Sequence, residues 1–315
     1  MSEKKKVVIA LGGNAIIRKG QKGTVAEEFA NTRASLDGII KVIKHDYNVA
    51  ITHGNGPQAG NMMLRVEAGL SRNVPDRPLG VIVADTEGGM GYMIEQSLQN
   101  RLAKEGIERD VVTILSQVVV DPQDPQMLNP SKPVGPFYTE EQAKGLISEK
   151  GWSIVEDAGR GWRRVVPSPV PQTVVEKNVI KRLIEEGVVV ITVGGGGIPV
   201  YYEEDGTLEG VDAVIDKDLA SAVLALEIGA EILVISTGVE KVALGFGTPQ
   251  ERTLDRMTVA ECKKYMEEGH FPKGSMGPKI KAAIDFIEMG GKKVIITLPE
   301  TIEEALEGKT GTIIE

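Results

Sequence analysis

Short β-branched runs alternate along this chain with longer segments of helical period. Runs at 7–11, 49–52, 111–120, 188–193, 232–236 and 294–297 read as strands. Between the first two, Leu36, Ile39, Ile40 and Ile43 recur at helical spacing after Asn31-Thr32, which reads as the cap. Residues 173–186 give a second amphipathic helix with Val175, Val179, Leu183 and Ile184 on one side, and 219–228 and 280–289 give two more. This alternation predicts an α/β fold, a mostly parallel sheet with crossover helices. One region breaks the rhythm: 121–171 holds eight of the 16 prolines and both tryptophans. It reads as an excursion that leaves the sheet after Val120 and returns near Thr173, either a small inserted subdomain or lid, or a plain surface loop.

Composition narrows the function classes. With 315 residues there is room for two lobes or one large domain, and a mean hydropathy of -0.08 is that of an ordinary globular protein. Lys and Arg number 36 against 45 Asp and Glu, a net charge of -9, which argues against nucleic-acid or anionic-membrane binding. Lys4-Lys5-Lys6 before 7–11 imitates a secretory leader, but the apolar run stops at Gly12-Gly13, short of the roughly 7–15 residues a leader needs. No run approaches the ~20 apolar residues of a membrane span, so a soluble, cytoplasmic protein is expected. The single cysteine, Cys262, excludes an internal disulfide and, within the helical-looking stretch 259–266, reads as inert.

Three glycine-rich turns each follow a strand: Leu11-Gly12-Gly13-Asn14, Thr52-His53-Gly54-Asn55-Gly56-Pro57-Gln58, and Val193-Gly194-Gly195-Gly196-Gly197-Ile198-Pro199. Glycine lets backbone N–H groups converge on an oxygen-rich anion, and strand ends are where open α/β sheets bind ligands. The dinucleotide pattern is met only formally at Gly54–Ala59, where Pro57 intervenes. Gly308-Lys309-Thr310 ends like a phosphate-binding loop, but Glu303 replaces its first glycine and the helix has no room to follow. Positive charge comes from Lys217 in Asp216-Lys217-Asp218, from Lys279 after Gly274-Ser275-Met276-Gly277-Pro278, and from Lys132 in the excursion. Asp216-Lys217-Asp218 reads either as a solvated turn with Asp218 capping the next helix, or as a lysine held upright by a carboxylate. Lys132 alone reads as a surface lysine. No paired-cysteine or H-x-x-x-H cluster is present, so no protein metal site is expected. Of His45, His53 and His270 only His53 lies in a glycine loop, where a structural hydrogen bond is expected of it. Glycine loops, lysines and Mg²⁺ suffice for phosphoryl transfer, and an ionised carboxylate or carbamate acceptor needs no general base.

Together these blocks, with Asn129-Pro130-Ser131-Lys132-Pro133, Gly159-Arg160-Gly161-Trp162-Arg163 and Ala213-Val214-Ile215 before Asp216, resemble the amino-acid kinase superfamily, and within it the carbamate kinases, over nearly the whole chain. Most of that superfamily carries a lysine before the L-G-G turn; here the position is Ala10, and carbamate kinases are similar in lacking it and using a lysine of a protruding subdomain, which matches Lys132. The resemblance implies a three-layer α/β/α sandwich around a mostly parallel central sheet, with two lobes plus a small protruding subdomain. An N-terminal lobe, 1–185 with the subdomain at about 121–171, would take carbamate or carbamoyl phosphate; 186–315 would take ATP or ADP. It also implies Mg²⁺, a homodimer through the N-terminal lobe, and a place in arginine metabolism in either direction. By this analogy Lys132, Lys217 and Lys279 act on the moving group and Asp216 orients the lysines. Gly12, Gly13, Asn14, Gly54, Asn55, Gly56, Arg160 and Arg163 meet the acceptor, and Gly194, Gly195, Thr237, Gly274 and Met276 join Lys217 and Lys279 at the nucleotide. The chain departs from the family at Ser236-Thr237-Gly238-Val239, where carbamate kinases read Leu-Thr-Asp-Val. Two other readings remain: a relative that phosphorylates another small carboxylate, and a non-catalytic nucleotide-binding module.

Overall fold

A computed structural model describes residues 4–18, 20–157, 161–272 and 274–315, with the side chain of Asn14 outside that description. Its frame is an eight-stranded sheet. In spatial order the strands are β15 (Arg256–Met257), β17 (Thr312–Ile314), β16 (Lys293–Thr297), β12 (Ile232–Ser236), β1 (Lys6–Leu11), β2 (Asn48–His53), β9 (Val189–Ile191) and β3 (Val111–Thr113). From β16 to β3 every pairing is parallel; only β17 runs antiparallel to its neighbour β16.

Alternate residues of each central strand enter different cores, as the pleat requires. Val7, Ile9, Val49, Ile51, Val234 and Ile295 pack on one face with residues of α1 (Val25–Lys44), α3 (Leu79–Lys104) and α10 (Ile302–Leu306). Val8, Ala50, Val190, Leu233, Ile235 and Ile296 pack on the other with α6 (Lys177–Glu185), α7 (Lys217–Glu227), α8 (Val259–Glu267) and α9 (Met276–Glu288). The result is a three-layer α/β/α sandwich. Cys262 lies fully buried in the second core, and burial pushes its thiol up to about 12, which keeps it unreactive.

Three of the expected elements change on folding. Helix α1 begins at Val25, six residues before the cap expected at Asn31-Thr32, because Thr24 and Glu27 form a capping box; Asn31 and Thr32 are buried inside the helix. The run 111–120 divides into β3 and β4 (Gln117–Val120). Ile114 still bonds Ile191, but the N–H of Ser116 turns away to Glu87, and β4 joins a second sheet in the order β11 (Leu208–Gly210), β10 (Ile198–Tyr202), β4, β8 (Pro171–Val174). The helix expected over 173–186 is strand β8 followed by α6, with Ile180 and Ile184 buried and Val179 37% exposed. Helix α2 (Gln58–Leu70) and most of α3 fall where the pattern predicts nothing.

The proline-rich excursion folds into α4 (Pro125–Leu128), α5 (Glu140–Lys150) and a separate antiparallel sheet, β5 (Lys132–Tyr138), β7 (Trp162–Val166), β6 (Ile154–Glu156). It rides on α2 so closely that a Cβ on Gly60 would stand 2.6 Å from the Gly135 Cα. A hairpin, β13 (Val242–Leu244) with β14 (Arg252–Leu254), completes the chain.

Candidate active site

Because β12, β1, β2 and β9 are adjacent and parallel, the loops that follow them emerge side by side at the carboxyl edge of the sheet. A cavity of about 510 Å³ opens there. Its wall brings together Gly13, Gly54, Asn55, Gly56, Gly195 and Thr237 from these loops, Lys132 and Arg163 from the excursion, and Asp216, Lys217, Asp218, Gly274 and Lys279 from the starts of α7 and α9. Helices α2, α7 and α9 all begin at this wall, so their N-terminal dipoles reinforce the positive charge. A further cavity of about 780 Å³ adjoins it across Lys132 and Asp216 and reaches Leu219, Met266 and Phe271.

The lysines are arranged around two carboxylates. Asp216 caps α7, its Oδ1 accepting the N–H of Asp218 at 3.0 Å, while its Oδ2 accepts Lys132 Nζ at 2.6 Å across 84 residues of sequence. Asp218 is buried and takes Lys217 Nζ on Oδ1 at 2.5 Å and Lys279 Nζ on Oδ2 at 2.8 Å. The cap expected of Asp218 therefore belongs to Asp216. The bracing expected of Asp216 alone is divided: it holds Lys132, and Asp218 holds the other two. A turn that starts a helix sends alternate side chains in different directions, which residue types alone do not reveal. Burial would raise the Asp218 carboxyl, but the two ammonium groups outweigh it and hold it far below the ordinary carboxylate range. Burial, with the second ammonium, lowers Lys217. Two cations on one anion leave the site with one net positive charge, poorly hydrated and facing the cavity.

The glycines have two distinct uses. Lys217 runs under Gly54, whose Cβ would lie 3.0 Å from Lys217 Cδ, and Gly195, at φ 71°, leaves room for Asn55, whose Nδ2 donates to the Gly195 carbonyl at 3.1 Å. Gly12 and Gly194 stand behind the wall: a Cβ would meet the Ser236 carbonyl at 2.8 Å or His53 Nε2 at 2.4 Å. Met276 packs against the core beneath α9. Arg163 reaches the cavity, donates to the Gly135 carbonyl at 3.1 Å and lies over Phe137. Arg160 and the side chain of Asn14 lie outside the described residues.

Three polar residues behind the loops, Thr86, Glu87 and Ser116, were not visible in the sequence pattern. Val193 holds φ 51°, a strained value for a β-branched residue, and its N–H donates to Ser116 Oγ at 3.0 Å. The next N–H, of Gly194, donates to Glu87 Oε1 at 2.8 Å, and Glu87 also accepts from Ser116 N at 3.3 Å. Its neighbour Thr86 donates to Asn55 Oδ1 at 3.0 Å. Helix α3 thus pins two of the site loops from behind. Burial pushes the Glu87 carboxyl up to about 8, against the pull of those N–H groups. His53 is buried and neutral. Burial, with the charge of Lys217, lowers it to about 4, and its Nδ1–H donates to the Gly54 carbonyl at 3.2 Å.

The chain is similar to known proteins over nearly its whole length. The model of the amino acid kinase family matches residues 5–298. A carbamate kinase of Thermococcus kodakarensis is 55% identical over 310 residues, 98% of each chain. A carbamate kinase-like protein of Escherichia coli is 50% identical over 99% of each. The solved carbamate kinase from Giardia lamblia bound to AMP-PNP superposes with a TM-score of 0.92 at 44% identity, covering 100% of this chain and 99% of that one.

The Glu87 carboxyl gives a signed stability prediction. Its folded pKa lies above the ordinary 4.5, so folding takes up a proton between the two values and stability falls as pH rises through that window. Glu87→Gln cannot ionise. The denaturation free energy of the wild type minus that of Glu87→Gln should decrease from pH 5 to pH 8, by about 1.4 kcal/mol per unit at most. A difference that stays flat over that range contradicts a neutral Glu87.

Proposed function

The chain belongs to the amino acid kinase family and stands among its carbamate kinases, and on that premise we propose that it transfers a phosphoryl group reversibly between MgATP and carbamate. The observation that carries this reading is the Lys217–Asp218–Lys279 cluster with Lys132 opposite, at the mouth of three glycine loops. In the forward direction an ionised carbamate oxygen attacks the γ-phosphorus. The new P–O bond forms as the bond to the β-phosphate oxygen breaks, and ADP leaves with that electron pair. No proton has to move, which suits a site whose one buried histidine is neutral and turned to a backbone carbonyl. Charge spreads over the equatorial oxygens in the transition state, and fixed ammonium groups and backbone N–H groups stabilise it without reorganising.

Lys217 and Lys279 meet the nucleotide phosphates, Lys132 meets the transferred group, and Asp216 orients Lys132. Gly13, Gly54, Asn55 and Gly56 cradle the acceptor with Arg163, while Gly195, Thr237 and Gly274 border the nucleotide. We assign the acceptor to residues 1–185, including the excursion at about 121–171, and the nucleotide to 186–315, where the adjoining cavity gives room for the nucleoside. Mg²⁺ fits as part of the nucleotide. Among the described residues no cluster of three carboxylate, histidine or cysteine side chains is placed to hold a metal, so phosphates and water would supply its ligands. A cytoplasmic place in arginine metabolism follows from the same reading. Among the described residues no helix is long and apolar enough to cross a membrane.

A homodimer through the N-terminal lobe is supported by the outer face of α3, where Tyr92 is 55% exposed and Gly89 has open space before it. Sedimentation equilibrium should give twice the 33.8 kDa of one chain; a single-chain mass at micromolar concentration rejects the dimer. For the reaction, the wild type should form ATP from ADP, Mg²⁺ and carbamoyl phosphate. Lys217→Ala and Lys132→Ala should each reduce kcat by about 100-fold or more while the fold persists. Near-normal turnover in both variants removes the lysines from the site, and faster phosphorylation of glutamate, aspartate or acetylglutamate than of carbamate replaces the acceptor.

A further inference from the structure

Helix α2 has two ends and two cavities. Its first turn, with Ala59 and Gly60, borders the active-site cavity; its last turns, with Met63, Val66, Glu67 and Leu70, border another of about 650 Å³. The opposite wall of the second cavity is Lys150, Trp152 and Arg164 of the excursion, and Asp76, Leu79 and Asp212 close the end. Met63, Val66, Leu70, Leu79 and Ile82 give it an apolar side, and the charged groups that line the rest are incompletely matched.

Arg164 is the clearest case. Its guanidinium lies over Trp152 at 4.2 Å and makes no ion pair or hydrogen bond among the described residues. Burial lowers its pKa even though Glu67, Asp212 and Asp76 stand near enough to oppose that shift. Each acid is held elsewhere. Glu67 pairs with Lys150 at 2.5 Å, Asp212 Oδ1 accepts the Leu79 N–H at 2.8 Å, and Asp76 Oδ1 accepts the Arg77 N–H at 2.8 Å. The second oxygens of Asp76 and Asp212 have no hydrogen bond among the described residues. A forked cation and two carboxylate oxygens therefore share one cavity without touching, beside an apolar wall. A purely anionic guest would leave the carboxylates facing it, and a purely cationic one would leave the guanidinium unmatched.

We propose that this cavity binds a zwitterionic amino acid with an apolar side chain. The carboxylate would lie on the Arg164 fork, the ammonium on Asp212 and Asp76, and the side chain against Met63, Leu79 and Ile82. The site is coupled to the chemistry by construction. Arg164 pairs across the sheet with Val134, two residues from Lys132. Val134 packs in one cluster with Ala59 and Met63, which border the two cavities. An occupant clamps the excursion against α2 and so bears on the position of Lys132.

Isothermal titration of the full chain with L-leucine tests this independently of turnover, with N-acetyl-L-leucine and L-leucinamide as singly charged controls. Saturable binding of leucine is expected, weaker by about ten-fold or more for both controls and for Arg164→Met and Asp212→Asn. Should Arg164→Met fail to fold, Asp212→Asn decides, since its amide oxygen still accepts the Leu79 N–H. Absence of saturation at millimolar leucine overturns the proposal, as does equal affinity for either control or in the variant that folds.

Discussion

Two half-buried ammonium groups facing one cavity repel each other, and here they coexist because the buried Asp218 carboxylate lies between Lys217 and Lys279 and gives one oxygen to each. In a poorly hydrated setting such charges interact far more strongly than in water, so the arrangement fixes both side chains. Its net positive charge faces the cavity. The rest of the site is organised around that constraint. Gly54 has no side chain where Lys217 passes, and α7 and α9 both begin at the wall, so their N-termini add to the same field.

Lys132 completes the set from outside the sandwich. It belongs to β5 of the excursion, and its ion pair with Asp216 joins that small sheet to the cap of α7. One end of the excursion therefore reports directly on the lysine cluster while the other packs on α2. The contact admits no side chain at Gly60, where a Cβ would run into the Gly135 backbone. A side chain 84 residues away in sequence can be placed accurately because the piece that carries it is a folded unit with its own strands and a capped helix.

Much of this was legible from residue types. Glycine-rich turns after β1, β2 and β9 mark strand ends whatever the exact topology, and they meet because those strands are neighbours. Lys217 and Lys279 stand at helix entries, a position readable from the glycine and aspartate beside them. What was hidden is also physical. Asp216 and Asp218 differ only in which way a helix start turns their side chains. Glu87 sits in a helix whose small and apolar residues run all round it, so no face identifies the buried acid, and its partners are backbone N–H groups at 116 and 194. The division of 111–120 between two sheets depends on that same bond to Ser116. The departure at Gly238 lies beside Thr237, which is on the wall, and nothing in the structure explains the change of residue.

The most direct test of the central arrangement is the pH dependence of turnover in Asp218→Asn, from about pH 6 to 9. Without the shared carboxylate, Lys217 loses the main charge that offsets its burial and its repulsion by the neighbouring ammonium, so its pKa falls further. The variant should fold, turn over about 100-fold or more slowly at the alkaline end, and recover activity as the pH is lowered. Wild-type turnover with an unchanged pH profile would show that the two lysines do not depend on Asp218, and the electrostatic account of the site would fail.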